Sequence, residues 1–583
     1  RTPAATAPSS QLDALLNAFI REQLDRSPEQ VTSLGLDKGP RADAKRHLDD
    51  RSLAGRDRDR ADNLGQLKRL DQVDRAGLTG IDAVNYDTEA YLMRAEAGID
   101  RGFAYGDVGD DGPYVLSQLT GDYQSIPDFL DSKHVIETRA DAEAYLDRLD
   151  GFAVALDQEL ERVAHDTAAG AAPPDFALNG AIGQMTSLRD EPPATAVLVR
   201  SLVKRAREKG IGGDYETRAS RIYRARVVPA LGRQIEAMRA LLPRAVHDAG
   251  VWRLPDGEAY YAAMLRRATT TDLTPAEVHQ IGVEVVASLA ARLDTLLRAQ
   301  GLNQGTVGAR LRALYDDPQY RYPNTDPGKA ALIADLNLKV EAVQARLPAY
   351  FKTLPKAKVE IRRIPPYTEA AEAGGYYEEG ALDGSRPGVY YINLRDTAEV
   401  PRWTLPTLTY HEAIPGHHLQ LSLQQESNLP LIRKTQWFSA YGEGWALYAE
   451  QLADEMGLYD HDPLGRIGYL HDALFRGVRL VVDTGIHAKR WSREQAVKYY
   501  VDAIGDPEPA AVTEVERYAV WPGQACSYMI GKLTWLRLRE RARTSLGPRF
   551  DIRQFHDAGL LPGATPLTVL DAGIAAYEMS NRA

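Results

Sequence analysis

The chain has 583 residues, 44% apolar and 26% charged, which is the composition of a folded protein with a large buried core. Its formal net charge of −11 argues against a general nucleic-acid binder, which usually shows a basic surface, and no apolar run is long enough to span a bilayer. Cys526 is the single cysteine, so an internal disulfide and a cysteine-built metal site are both excluded.

Residues 1–10 (RTPAATAPSS) are small and proline-rich. They are expected to form a flexible tail of the kind that follows a removed signal peptide or a lipoprotein anchor. That would place the protein in the periplasm or outside the cell; a trimmed end on a cytoplasmic protein reads the same way. Helical periodicity then takes over. Leu12, Leu15, Leu16, Phe19 and Ile20 recur at helix spacing, as do Leu67, Leu70 and Val73. Ser27-Pro28-Glu29 reads as a capped helix start. Further helices are predicted over about 81–100, 141–168, 193–208, 214–244, 274–300 and 328–352. Breakers such as "AGAAPPDF" (169–176) and "KGIGGD" (209–214) separate them. The Arg/Asp-rich stretch 40–63 reads as a solvated helix face or loop.

The texture changes after 355. "KVEIRRIP" (358–365) and "GVYYINL" (388–394) are rich in β-branched and aromatic residues and predict short strands. The glycine-rich link between them (372–388) suits a hairpin or flap. A helix is predicted to open near Thr407.

That helix carries Tyr410-His411-Glu412-Ala413-Ile414-Pro415-Gly416-His417-His418, with three of the chain's 12 histidines. A glutamate directly after a histidine is what a zinc hydrolase needs: imidazoles hold the metal, and the carboxylate takes a proton from water. In a helix turning about 100° per residue the two ligands belong at i and i+4, but that place is taken by Pro415. His417 falls on the wrong face of an ideal helix, and His418 lies about 10 Å along the axis from His411. A Pro-Gly break can loop the chain out. Two residues looped out bring His417 to the ligand position; three bring His418. The spare imidazole would face substrate or a second carboxylate.

A third ligand is expected from "YGEGWALYAEQLADEMG" (441–457). Glu443 sits near the start of a predicted helix, flanked by Gly442 and Gly444 that allow close approach. Glu450 lies two turns on, on the same side, where it could orient a ligand histidine. Further along, Arg479, Asp483 and His487 recur every four residues and share a helix face. This is either a salt-bridged polar surface or one from which His487 donates to substrate or oxyanion. Tyr528 follows Pro522-Gly523 and precedes Gly531; it is either a catalytic hydroxyl or a buried aromatic. Arg479 and Arg517 are candidate cations for a terminal carboxylate.

The motifs "YHEAIPGHHLQ" (410–420), "YGEGWALYAE" (441–450), "RLVVDTGIHAKRWSREQA" (479–496) and "YAVWPGQACSYMIGKLTWLRLRERA" (518–542) resemble the bacterial domain-of-unknown-function 885 family. Its members look like distant relatives of the gluzincin zinc metallopeptidases. The resemblance implies a mainly α, zincin-like fold with a deep cleft and a small β-sheet beside the metal helix. It implies that 11–355 form one wall of the cleft and 356–583 the catalytic region, in one intertwined unit. It also implies His411, His417 and Glu443 as ligands of one Zn2+ per chain, with Glu412 as general base. The strand at Tyr391 would pair with the substrate backbone. The expected activity is hydrolysis of short peptides, with release from the C-terminus by family analogy. Two rivals are a zinc amidohydrolase acting on acyl-amino-acid conjugates and a catalytically silent binding protein with a degenerate site.

Overall fold

The computed structural model describes residues 7–582, apart from 108, 110, 365, 367, 368, 370–373 and 385. Most of the expected tail lies outside the described residues. The part inside is helical: a helix spans Pro8–Arg26, with Leu12, Leu16 and Phe19 buried at the predicted spacing. Helix accounts for 70% of the structure and strand for 3%, so helix packing sets the architecture and the sheet is a local insertion.

The chain divides into two compact units. The first comprises Arg1–Asp74, Leu92–Tyr260 and Ala519–Trp521. Its core is a helical cluster that includes Phe152, Leu156, Leu178, Leu202 and Ile235. Helix α1 (Arg139–Ala168) starts at a reciprocal cap, in which Thr138 and Asp141 each accept the other's backbone N–H. It packs against α2 (Val228–Leu241). The single helix predicted over 214–244 is instead Tyr215–Ile222, a π-helical turn at Tyr223–Val227, and then α2. Pro229 explains the change of winding, because its ring lacks the N–H an uninterrupted helix would use there.

The second unit comprises Arg75–Tyr91, Tyr261–Tyr518 and Pro522–Ala583. It holds the strands and all the candidate site residues. Strands β1 (Val359–Arg363), β2 (Gly375–Glu378) and β3 (Gly388–Ile392) form a sheet in the order β1-β3-β2. β1 runs parallel to β3, with Ile361 opposite Tyr390, and β2 runs antiparallel to it, with Tyr377 opposite Tyr390. The strand expected to pair with the substrate backbone, β3, is therefore the central one; β1 and β2, the latter from the glycine-rich link, are the edges.

Helix α3 (Pro275–Ala299) packs along α6 (Pro463–Ala488). Between sheet and α6 in sequence come α4 (Leu405–Glu412) and α5 (Ser439–Glu455), and α7 (Ser527–Leu546) follows. α5 and α7 cross almost backbone to backbone. A Cβ on Gly444 would lie 2.5 Å from Gly531 Cα, and one on Gly531 would lie 1.9 Å from the Ala440 carbonyl oxygen. This is the close approach for which Gly444 and Gly531 are needed.

Candidate metal centre

The Pro-Gly break produces two helices rather than one helix with a bulge. α4 ends at Glu412, Ala413 leaves the helical region (φ −93°, ψ −109°), and Ile414–Pro415 is a cis peptide. A new helix, His417–Glu426, begins after Gly416. The chain doubles back so tightly that a Cβ at Gly416 would sit 1.9 Å from the His411 carbonyl oxygen. Only glycine fits. Trp445 on α5 holds the turn in place, its indole N–H donating to the Pro415 carbonyl at 2.9 Å.

His417, not His418, lands beside His411. The rings stand nearly perpendicular, with centroids 4.8 Å apart. Glu443, near the start of α5, reaches between them. Its Oε2 lies 3.3 Å from His411 Nε2 and 3.2 Å from His417 Nε2. These separations identify the arrangement. A charge-assisted N–H···O bond is normally about 2.7–2.9 Å. Ligand atoms held about 2.0–2.1 Å from a tetrahedral zinc stand roughly 3.3 Å from one another. His411, His417 and Glu443 thus have donor types that can hold a metal, and the two edges that meet at Glu443 have the length such a site requires.

His411 Nδ1, by contrast, lies 2.7 Å from Glu450 Oε1, an ordinary strong hydrogen bond. Thr407 donates its hydroxyl to the other Glu450 oxygen. Glu450 thus turns the His411 ring so that Nε2 faces Glu443, the supporting role read from its two-turn offset.

The electrostatics match. Burial would push His411 down, but Glu443 and Glu450 on either side outweigh it and hold its pKa well above the usual imidazole range. Burial would raise Glu443, yet His417 and His411 hold it well below the usual carboxylate range. The cluster therefore favours a positive charge at its centre, which a divalent cation satisfies without a proton. Glu412 is raised, chiefly by burial, with His411 and His417 pulling the other way. Its carboxylate accepts no hydrogen bond among the described residues.

A cavity of about 500 Å³ opens onto these groups. His411, Glu412, His417 and Glu443 line it, together with Arg479, Arg517 and Tyr528 from the sequence reading. Tyr528 is nearly buried, and its hydroxyl makes no hydrogen bond among the described residues. The reading as a buried aromatic bonded to backbone is thus not what the structure has.

Three expected site residues do not line this cavity. His418 faces the sheet: it donates from Nε2 to the Ala357 carbonyl (3.0 Å) and accepts the Tyr377 hydroxyl at Nδ1 (2.9 Å). His487 is fully buried against the Tyr261 ring and donates to the Tyr518 carbonyl at 2.8 Å. Tyr391 packs on Tyr376, 5.2 Å between ring centroids, because strand alternation turns it away from Tyr390, which faces the core. The cavity wall is instead Gly374–Tyr377, on edge strand β2.

The sequence reading missed Arg476 and Asp472. Arg476 lines the cavity. Asp472 offers a carboxylate oxygen within 4.8 Å of His411 and Glu450 ligand atoms. Their shared helix face with Arg479 (Asp472, Arg476 and Arg479 at i, i+4 and i+7) was available as a signal.

A family model described as "Bacterial protein of unknown function (DUF885)" matches residues 28–574. No curated protein matches the chain. Among solved structures, a "putative lipoprotein" from Colwellia psychrerythraea is 33% identical with a TM-score of 0.95, covering 99% of this chain and 100% of that one. A second "putative lipoprotein", of unknown function, from Shewanella oneidensis is 18% identical with a TM-score of 0.73, covering 98% and 99%. It shares the fold.

Proposed function

The chain belongs to the DUF885 family of bacterial proteins, and from the site it carries we propose that it is a zinc-dependent metallopeptidase acting on short peptides. The observation that carries this reading is the His411–His417–Glu443 cluster, with Glu443 3.2–3.3 Å from both imidazoles and Glu412 beside it on a cavity wall. We read the helical fold and its small sheet as zincin-like, which extends the resemblance to the gluzincins.

Zinc held by His411, His417 and Glu443 would bring the pKa of a bound water to about 7 and polarise the scissile carbonyl. Glu412, raised by burial, takes the proton of the attacking water and delivers it to the amine nitrogen as the C–N bond breaks. The free Tyr528 hydroxyl donates to the carbonyl oxygen as negative charge develops there. Gly374–Tyr377 offers an edge strand for the substrate backbone. The lipoprotein description of the Colwellia relative supports a location outside the cytoplasm, and no helix among the described residues is long and apolar enough to cross a membrane.

The test is metal analysis of the purified chain together with its incubation in a peptide library read by mass spectrometry. The expected result is one zinc per chain and cleaved peptides. Cleavage of acyl-amino-acid amides in place of peptides would favour the amidohydrolase reading. Zinc binding without hydrolysis of either would favour a binding protein, and absence of zinc would remove both enzyme readings.

A further inference from the structure

α6 passes the metal centre and then continues along the cavity. Asp472 lies beside His411 and Glu450. Arg476 stands one turn further on and Arg479 nearly two, and both line the cavity shared with Glu412 and Glu443. Arg476 lies near enough to Glu412 to bear on its charge.

Arg476 uses little of its hydrogen-bonding capacity. Its Nε meets Asp472 at 3.4 Å, while its two terminal nitrogens meet no acceptor among the described residues. Arg479 stands behind it. One of its nitrogens donates to Glu514 at 3.0 Å, while Nε and Nη1 are buried with no hydrogen-bond partner among the described residues. Both guanidiniums are held by aromatic rings. The Tyr528 ring centroid is 4.5 Å from Arg476 Cζ and 4.8 Å from Arg479 Cζ, and that of Phe475 is 4.7 and 4.4 Å away. The stacked rings fix the guanidinium planes and leave their N–H edges for a ligand.

Arg476 and Arg479 stand side by side over the same two rings, Asp472 against the one and Glu514 against the other. Two adjacent guanidiniums whose remaining N–H groups meet no acceptor among the described residues call for an anion. Planar N–H edges in fixed geometry suit a carboxylate. The distance points to which carboxylate. From Asp472 to Arg476 and Arg479 is about 6 and 10 Å along the helix axis, the length of roughly two to three extended residues. An anion held there is close to the bond being cut.

Resting on the peptidase reading, we propose that Arg476, backed by Arg479, holds the C-terminal carboxylate of the substrate. The protein is then a carboxypeptidase that releases a short C-terminal piece. An Asp or Glu side chain presents the same chemistry, so the test separates the two sources.

The zinc-loaded full chain is given one peptide sequence in three forms: free acid, C-terminal amide, and amide with Asp as the last residue. The free acid should be cleaved with kcat/KM about 10- to 100-fold above the plain amide, the effect of a hydrogen bond to a charged group. Arg476→Gln should lose this preference, chiefly through a higher KM on the free acid that brings its kcat/KM level with that of the amide, and Arg476→Lys should restore part of it. Equal cleavage of acid and amide overturns the proposal. So does an equal fall in kcat on both forms in Arg476→Gln, which would make the arginine an oxyanion donor. An Asp amide cleaved as well as the free acid makes the pocket one for acidic side chains. If no form is cleaved, the peptidase reading fails, and calorimetry of the Glu412→Gln protein with an N-acetyl dipeptide decides this proposal by itself. Tighter binding of the free acid than of its amide, abolished by adding Arg476→Gln, upholds the anchor; equal binding overturns it.

Discussion

Residues 410–418, at the break between two helices, and residues 479–487, within one, both set histidine among ionisable groups in the second unit. Along 479–487 the interior settles them. His487 donates to the Tyr518 carbonyl at 2.8 Å, and Asp483 accepts the Tyr261 hydroxyl at 2.6 Å and the Gly523 backbone N–H at 3.1 Å. Along 410–418, His411 Nε2 and His417 Nε2 stop 3.2–3.3 Å from a shared Glu443 oxygen. That is too long for a strong charged hydrogen bond and right for the edge of a metal tetrahedron. Helical spacing states which side chains share a face. The residual distances state which of them are satisfied by one another and which are spaced to hold an ion.

The largest expected effect tests the cavity side of this contrast. If Glu412 is the general base proposed above, Glu412→Gln removes the proton acceptor but none of the proposed ligands. Zinc content should stay at one per chain, and kcat should fall by about 10²- to 10⁴-fold, the usual worth of a positioned acid–base group. A mutant that keeps its rate would take the general-base role from Glu412.

Next comes the turn that creates the triangle. Gly416→Ala places a Cβ where the His411 carbonyl oxygen lies, and the shift needed to relieve it displaces His417. The expected cost is about 2–4 kcal/mol in unfolding free energy, with weaker zinc binding. Denaturant unfolding with and without excess zinc should show both. Unchanged stability would mean that the turn is softer than the geometry indicates.

A smaller effect is expected one layer out. Glu450→Gln keeps the size of the side chain but weakens its hold on His411 Nδ1. Zinc affinity should drop about 10- to 100-fold, as when other outer carboxylates behind a ligand histidine are lost. Competition with a chelator measures it. Full affinity in this variant would show that the imidazole is oriented by packing alone.

Much of this was legible in the chain. Helix periodicity located the helices because their apolar faces are regular, and the His-Glu pair with Glu443 and Glu450 two turns apart indicated the centre. What stayed open required positions that local pattern does not carry. His417 and His418 are neighbours, and only the Gly416 fold-back decides that one meets Glu443 while the other meets the Ala357 carbonyl. β3 is expected at an edge only by the family resemblance; its neighbour β2, Gly-Tyr-Tyr-Glu, lies inside the glycine-rich link that reads as a hairpin or flap. Arg476 was passed over since arginines are common on helices; its meaning comes from Tyr528, brought beside it from 52 positions later in the sequence.

The smallest expected effect on activity is the sharpest check on the comparison itself. If His487 is a settled interior group, His487→Phe removes the bond to Tyr518 and leaves that buried carbonyl without this donor. Such a loss costs about 1–3 kcal/mol, which thermal unfolding will register. Ring shape is kept against Tyr261, 4.9 Å away between centroids, so the fold should survive. Zinc content and kcat should be those of the unaltered protein, since this imidazole does not line the cavity. A stable His487→Phe protein with its zinc intact and its kcat collapsed would mean that His487 reaches the substrate in a conformation other than this one. The contrast between the two helix faces would then be one of state rather than of design.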